Sequence, residues 1–258
     1  QAPLLRGAEQ ALITVLEASR DLDLLTAVGL PVRDPWTGKL YNCAAVMCRG
    51  ELLGLVPKIH LPNYGEFYEQ RWFSSGEGAD RLIELCGQPV NLQTNVIFSC
   101  KSVPNLTVGV EICEDLWAPD PPSTTLARAG ATLILNLSAS DETVGKAGYR
   151  RQLVSGQSGR LLCGYVYADA GEGESTTDMV FAAHNLIAEN GALLAERRFE
   201  GGLTISEIDV DKLSFERCRN TTFTPTEEEV WRCSFDLERT ETVLTRPVGK
   251  NPFVPSDH

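Results

Sequence analysis

Histidine is scarce in this chain, at three residues among 258, and the eight cysteines include no CxxC pair. A zinc site is therefore not expected, because structural zinc needs clustered cysteine and histidine ligands. His60 and His184 have no partner at metal or triad spacing, so packing or solvent exposure accounts for them. Basic residues are also in deficit, 23 Lys plus Arg against 35 Asp plus Glu, for a formal charge of -12. That balance argues against nucleic acid or an anionic membrane as partner, since either requires a basic face. No apolar run approaches the roughly 20 residues of a membrane span. Gln1-Ala-Pro-Leu-Leu-Arg6 is not the charged start of a secretory signal, so a cytoplasmic protein is expected. The cysteines are scattered through a long chain rather than packed into a small secreted scaffold.

What is present is ordinary globular material, 43% hydrophobic and 22% charged, in a length that suits one domain. Apolar residues at helical spacing predict a helix over Ala2 to Ala18. Asp21 to Gly29 reads as a buried strand. Leu40 to Cys48 and Leu52 to Val56 flank Arg49-Gly50-Glu51, a hairpin signal. Thr107 to Ile112 reads as a strand ending at Cys113. After the proline-rich Ala118 to Pro122, Ser123 is placed as the N-cap of a helix over Thr124 to Ala129. Thr132 to Ser138 is a continuous apolar run, as expected of a strand covered on both faces. A helix over Gly148 to Arg160, a strand over Cys163 to Ala168, a hairpin of Met179 to Ile187 with Leu193 to Phe199, and a closing strand over Leu203 to Asp209 complete the reading. Residues 1–210 are taken as one domain. Residues 211–258 read as an arm, with the acidic run Glu227 to Glu229 as a solvated helix start.

Two segments carry chemistry. Cys113 stands where a strand ends beside a turn, in Val108-Gly-Val-Glu-Ile-Cys-Glu-Asp-Leu-Trp117. A cysteine acts as a nucleophile only as thiolate, which needs a cation, a base or a helix N-terminus nearby. Buried structural roles are expected of most of the other seven. Lys58 follows Gly54-Leu-Val-Pro57 at a strand end. An isolated lysine is ordinarily a solvated surface charge. Beside a thiol its ammonium could stabilise a tetrahedral oxyanion, with the backbone amide after Cys113 as second donor.

Residues 52 to 73, 106 to 117, 132 to 140 and 171 to 185 resemble the glutamine amidotransferase domain of bacterial glutamine-dependent NAD synthetases, in the nitrilase (carbon-nitrogen hydrolase) superfamily. The stretches Pro57-Lys-Ile-His-Leu-Pro-Asn-Tyr-Gly-Glu-Phe-Tyr-Glu-Gln-Arg-Trp-Phe73 and Glu111-Ile-Cys-Glu-Asp-Leu-Trp117 carry the likeness. The resemblance implies an α/β fold, a nitrilase-like α-β-β-α sandwich, and hydrolysis of the side-chain amide of glutamine without a cofactor. It implies Cys113 as the nucleophile that forms a glutamyl thioester and Lys58 as the catalytic lysine. Glu66 falls at the second carboxylate, with Glu69 a close competitor. Tyr64, Glu114 and Ser140 match positions that hold the α-amino and carboxylate groups of glutamine.

The same likeness places a general-base glutamate, in a Pro-Glu-Leu-x-x-Thr-Gly-Tyr-like segment, upstream of Gln1, and with it the opening strands and helix of the sandwich. A synthetase domain using ATP and magnesium is implied after Pro255. No Ser-Gly-Gly-x-Asp-Ser loop occurs in the chain, and Gly171-Glu-Gly-Glu-Ser175 reads as a surface loop. Homo-oligomers are the family habit. Two other readings fit the residues: a stand-alone hydrolase of another amide, and a non-catalytic module that binds glutamine or serves assembly.

Overall fold

The computed structural model describes residues 2–174 and 179–248. Ser175 of the glycine-rich loop and the ending Lys250 to Asp257 lie outside the described residues. Helix α1 (Ala2–Ser19) buries Leu12 and Leu16, one turn apart on a single face. Strand β1 (Leu25–Arg33) begins four residues later than the sequence reading placed it. The displaced residues Asp21 to Leu24 are exposed, and Asp23 is held there by Arg49 at 2.6 Å and by the amides of Glu238 and Arg239. Strands β2 (Leu40–Cys48) and β3 (Glu51–Pro57) form the expected hairpin. Its turn puts Arg49 and Gly50 at φ 51° and 79°, the mirror-image turn whose twist matches that of paired strands.

Three strands not anticipated from the sequence follow: β4 (Asp80–Leu85), β5 (Gln88–Gln93) and β6 (Val96–Cys100). Then come β7 (Thr107–Ile112), the single turn α2 (Glu114–Trp117) and α3 (Pro122–Arg128). Ser123 is not the cap of α3. Pro122 opens that helix, where a proline's missing N–H costs nothing, and Ser123 sits inside the first turn, donating its amide to Glu111 at 2.8 Å. Strand β8 (Leu133–Ser138), α4 (Lys146–Leu161) and β9 (Gly164–Asp169) complete a parallel unit. The last hairpin is β10 (Asn185–Glu189) with β11 (Ala192–Arg197), so Met179 to His184, read as strand, stay outside it.

Leu203 to Asp209 form no strand. Leu203 and Ile205 are 80% and 76% exposed, and Glu207 instead binds the amides of Thr245 and Arg246. Beyond Asp209 the chain carries α5 (Val210–Arg219) and β12 (Trp231–Phe235), which pairs in parallel with β6. Glu227 to Glu229 are exposed but not helical; Glu228 accepts a bond from Thr125.

The strands make two sheets, β1-β2-β3-β5-β4 and β11-β10-β9-β8-β7-β6-β12. An inter-sheet core of Ala44, Val46, Val56, Phe98, Val108, Val110 and Ile112 joins them. On the outer face of the first sheet Leu12 and Leu16 meet Leu30, Val32 and Met47. On the outer face of the second, Leu126, Val154 and Leu161 pack on Ile134 and Tyr165. The layers are thus α-β-β-α, the expected sandwich. In it, the carboxyl ends of β7, β8 and β9 open on one side, where parallel sheets ordinarily receive ligands.

Candidate active site

Cys113 follows β7 directly and has φ 48° and ψ -103°, a conformation that L residues adopt only when their surroundings enforce it. Two side chains enforce it here. Asp115, in α2, accepts the amide of Ile112 at 2.9 Å through Oδ2, and those of Ile59 and His60 at 3.2 and 2.8 Å through Oδ1. One carboxylate thereby ties the residue before Cys113 to the two residues after Lys58. Asn136 of β8 accepts the Cys113 amide at 3.2 Å.

Lys58 leaves the end of β3 and is 3% exposed. Its amide binds Asn42 O and its carbonyl accepts from Gly76, each at 2.8 Å. Gly76 lies so close to Pro57 that an added Cβ would meet it at 2.6 Å, so glycine is required there for the approach. The Lys58 ammonium meets Glu69 Oε2 at 2.5 Å, and Glu69 Oε1 takes the Asn42 amide nitrogen at 2.8 Å. Glu69 reaches Lys58 because a single 3-10 turn, Glu69–Arg71, folds the loop back. Glu66, favoured from the sequence, is exposed and stands away from Lys58; the structure brings the competing Glu69 there instead.

Cys113, Lys58 and Glu69 line one open cleft of ≈ 840 Å³, together with Ala27 to Pro31 of β1, Phe67, Ser138 and Asp169. Burial pushes the Cys113 thiol up, and the Lys58 ammonium pulls it back, as do the Ala139 amide and the Ser138 hydroxyl. Cys43 also borders the cleft, but it is fully buried and desolvation alone drives its thiol strongly upward. Of these two cysteines of the cleft, Cys113 alone has a cation acting on it, which separates it from Cys43 as a nucleophile. Burial likewise raises Asp115 to about 6, Asp169 to about 6 and Glu111 to about 7. Among the described residues no carboxylate hydrogen-bonds the Cys113 thiol.

Of the three residues expected to hold substrate, Tyr64 and Glu114 meet directly. Tyr64 donates to Glu114 at 2.6 Å, beside Phe67, whose ring Tyr64 meets edge-on. Burial, reinforced by that bond, raises the Tyr64 phenol. Ser140 is 2% exposed, its hydroxyl taking a bond from Arg150 at 3.0 Å and its amide donating to Asp169 of the cleft wall at 2.8 Å. The sequence reading passed over Lys146, at the start of α4: it is held by Asp141, and its ammonium lies 5.4 and 5.5 Å from the ring centroids of Phe67 and Trp117. Its position after Gly145, at a helix start following a strand, was the available signal.

Residues 2–214 match the family described as carbon-nitrogen hydrolase. The chain is 40% identical over 269 aligned residues to a glutamine-dependent NAD(+) synthetase of Mycobacterium tuberculosis, covering 100% of this chain and 39% of that protein. A crystal structure of a glutamine-dependent NAD(+) synthetase from Cytophaga hutchinsonii superposes with a TM-score of 0.64 at 30% identity, over 78% of this chain and 32% of that one. A carbon-nitrogen hydrolase from Helicobacter pylori G27 shares the fold, with a TM-score of 0.67 at 16% identity over 84% of this chain and 73% of the other. The chain thus spans about two fifths of the length of the synthetase relatives it matches. With a strand-end cysteine facing a buried lysine–glutamate pair inside an α-β-β-α sandwich, and with that match over most of its length, this chain belongs to the carbon-nitrogen hydrolase family.

Proposed function

We propose that this chain hydrolyses the side-chain amide of glutamine through a thioester on Cys113 and supplies the ammonia to NAD synthesis. The observation that carries the reading is the meeting of Cys113 with the Lys58–Glu69 pair in one cleft. The names of the synthetase relatives support glutamine as substrate.

The chemistry follows from the geometry. The Cys113 thiolate adds to the amide carbon. The oxyanion that forms is stabilised by the Lys58 ammonium and by the Glu114 amide at the first position of α2. Glu69 and Asn42 hold Lys58 in place and keep its charge compensated in a buried setting. Collapse of the intermediate breaks the C–N bond, a proton goes to the departing ammonia, and water then cleaves the thioester to glutamate. The base that takes the thiol proton and returns it to the departing ammonia is, on the family resemblance, a glutamate. A positioned base contributes about 10²–10⁴ in rate. Glu114 suits the α-ammonium of the substrate, and Lys146 suits its carboxylate.

On this reading ATP and magnesium act in the synthetase part of the natural polypeptide, and the chain's own step needs no cofactor; residues 211–235, read from the sequence as an arm, belong instead to the sandwich through α5 and β12. The test is ammonia release in the natural polypeptide from a panel of glutamine and simple aliphatic amides, with Cys113→Ala as control. Glutamine turnover that disappears in the variant is expected. An inert glutamine beside a hydrolysed aliphatic amide would sink the substrate assignment, and turnover surviving Cys113→Ala would sink the nucleophile.

A further inference from the structure

Behind the cleft lies a buried chain of polar groups that the mechanism above does not use. Asn136 Oδ1 accepts the Cys113 amide at 3.2 Å and the Ser138 hydroxyl at 2.7 Å. Asn136 Nδ2 donates to the Tyr165 hydroxyl at 3.1 Å. The Tyr165 hydroxyl in turn donates to Glu111 Oε1, and Glu111 Oε2 accepts the Ser123 amide at 2.8 Å. Glu111, Asn136 and Tyr165 stand on the adjacent parallel strands β7, β8 and β9, and all three are at most 1% exposed.

Each bond direction in this chain fixes the next. The Cys113 amide is a donor, so it requires the oxygen of Asn136. The Asn136 amide nitrogen must then face Tyr165, which has to accept, and the one Tyr165 proton is left for Glu111. Glu111 then accepts at both oxygens, from Tyr165 at Oε1 and from Ser123 at Oε2, the pattern that suits a carboxylate best. A proton on Oε1 would reverse the sequence, turning Tyr165 toward Asn136 and the Asn136 amide nitrogen toward the Cys113 N–H. Two donors would then face each other, at the cost of an unsatisfied buried group.

We propose that Glu111 and Tyr165, acting through Asn136, are positioning residues that hold Cys113 in its strained backbone conformation and so aim both its thiol and the following Glu114 amide. The proposal rests on the thioester reading for its consequence in turnover, but not for the behaviour of the thiol itself. Burial raises Glu111 to about 7, so the relay would switch within the neutral range. The groups bearing on Glu111 are Tyr165 from β9, Ser123 from α3, Asp115 from α2 and Cys163 ahead of β9.

The test is the rate of Cys113 alkylation by iodoacetamide, read on its own peptide by mass spectrometry in the natural polypeptide, from pH 6 to pH 8. The Cys113 thiol sits above its ordinary value, so its thiolate fraction rises about tenfold per pH unit through this range. Below pH 7 the wild-type rate is expected to rise more steeply than tenfold per unit, because Glu111 must ionise as well. Glu111→Gln and Tyr165→Phe should return the slope to about tenfold, with only the residue near pH 6 owed to Asp115. For glutamine, both variants should lose about 10²-fold in kcat, with KM within about twofold, as misaimed oxyanion donors do. A wild-type slope of one decade per unit would overturn the proposal. So would variants that keep the wild-type slope and rate while only their melting temperature falls. Neither result depends on glutamine being the substrate, so a failed glutamine assignment shows up separately, as labelling by iodoacetamide without turnover.

Discussion

Removing the Lys58 ammonium while keeping its bulk, in Lys58→Met, would leave Glu69 as a charge 15% exposed with only the Asn42 bond to compensate it. Breaking a buried pair from one side costs about 3–5 kcal/mol. Glu69 retains Asn42 and some solvent, which lowers the cost to about 2–4 kcal/mol. For a domain near this size that is a fall in Tm of about 5–15 °C. Adding Glu69→Leu should recover most of the loss, because replacing a buried pair by apolar residues is often neutral or better. Activity should not recover in the double variant. Glu66→Gln, at an exposed position away from Lys58, should stay within about 0.5 kcal/mol of wild type. The assay is thermal unfolding by circular dichroism at pH 7.5 on the four proteins. A double variant no more stable than Lys58→Met, or a Glu66→Gln loss equal to that of Lys58→Met, would refute the assignment of Glu69 as the partner.

Asp115→Asn should destabilise by about 2–3 kcal/mol, since one oxygen cannot serve acceptor sites on both sides and at least one buried N–H is orphaned. Peptide-resolved hydrogen exchange should then show faster exchange at Ile59 and His60 together with Ile112, and unchanged exchange there would contradict the staple. Stability should also fall as pH rises toward neutrality. Glu111, Asp115 and Asp169 hold protons in the folded state that the unfolded chain has released, so their contribution is full below the ordinary carboxylate values and lost through about pH 6 to 7. For Glu111 alone this is on the order of 3 kcal/mol. Asp34, Glu196 and Glu207 are depressed and act oppositely, losing their contribution on acidification. A Tm maximum between about pH 4.5 and 6 is expected, with its alkaline limb flattened in Glu111→Gln; a Tm that climbs steadily to pH 8 would contradict it.

Much of the site was legible because its parts lie at strand ends. The β-branched run of β7 announces where Cys113 stops, and the hairpin of β2 and β3 announces where Lys58 begins. The choice of Glu69 over Glu66 was not legible, because a single 3-10 turn in an otherwise irregular loop decides it and no periodicity marks such a turn. The setting of Ser140 was not legible either: its type suits substrate binding, and the bond from the fully buried Arg150 to its hydroxyl comes from α4, which only the fold brings there. In the fold, Leu203 to Asp209 mimic a strand by alternating apolar and polar residues, yet have no neighbour to pair with. Trp231–Phe235 hide the reverse case, a short and mostly exposed strand that is defined by its distant parallel partner β6. The relay from Glu111 to Cys113 spans three strands and a helix start, so only the fold assembles it.

The central claim, that Cys113 is the nucleophile of a glutamine-binding cleft, is tested most directly by treating the natural polypeptide with a diazoketone analogue of glutamine and mapping the adduct by mass spectrometry. The account predicts one adduct, on the Cys113 peptide, suppressed by added glutamine and slowed in Lys58→Met. An adduct on the exposed Cys218 instead, or labelling of Cys113 that glutamine does not suppress, would contradict it.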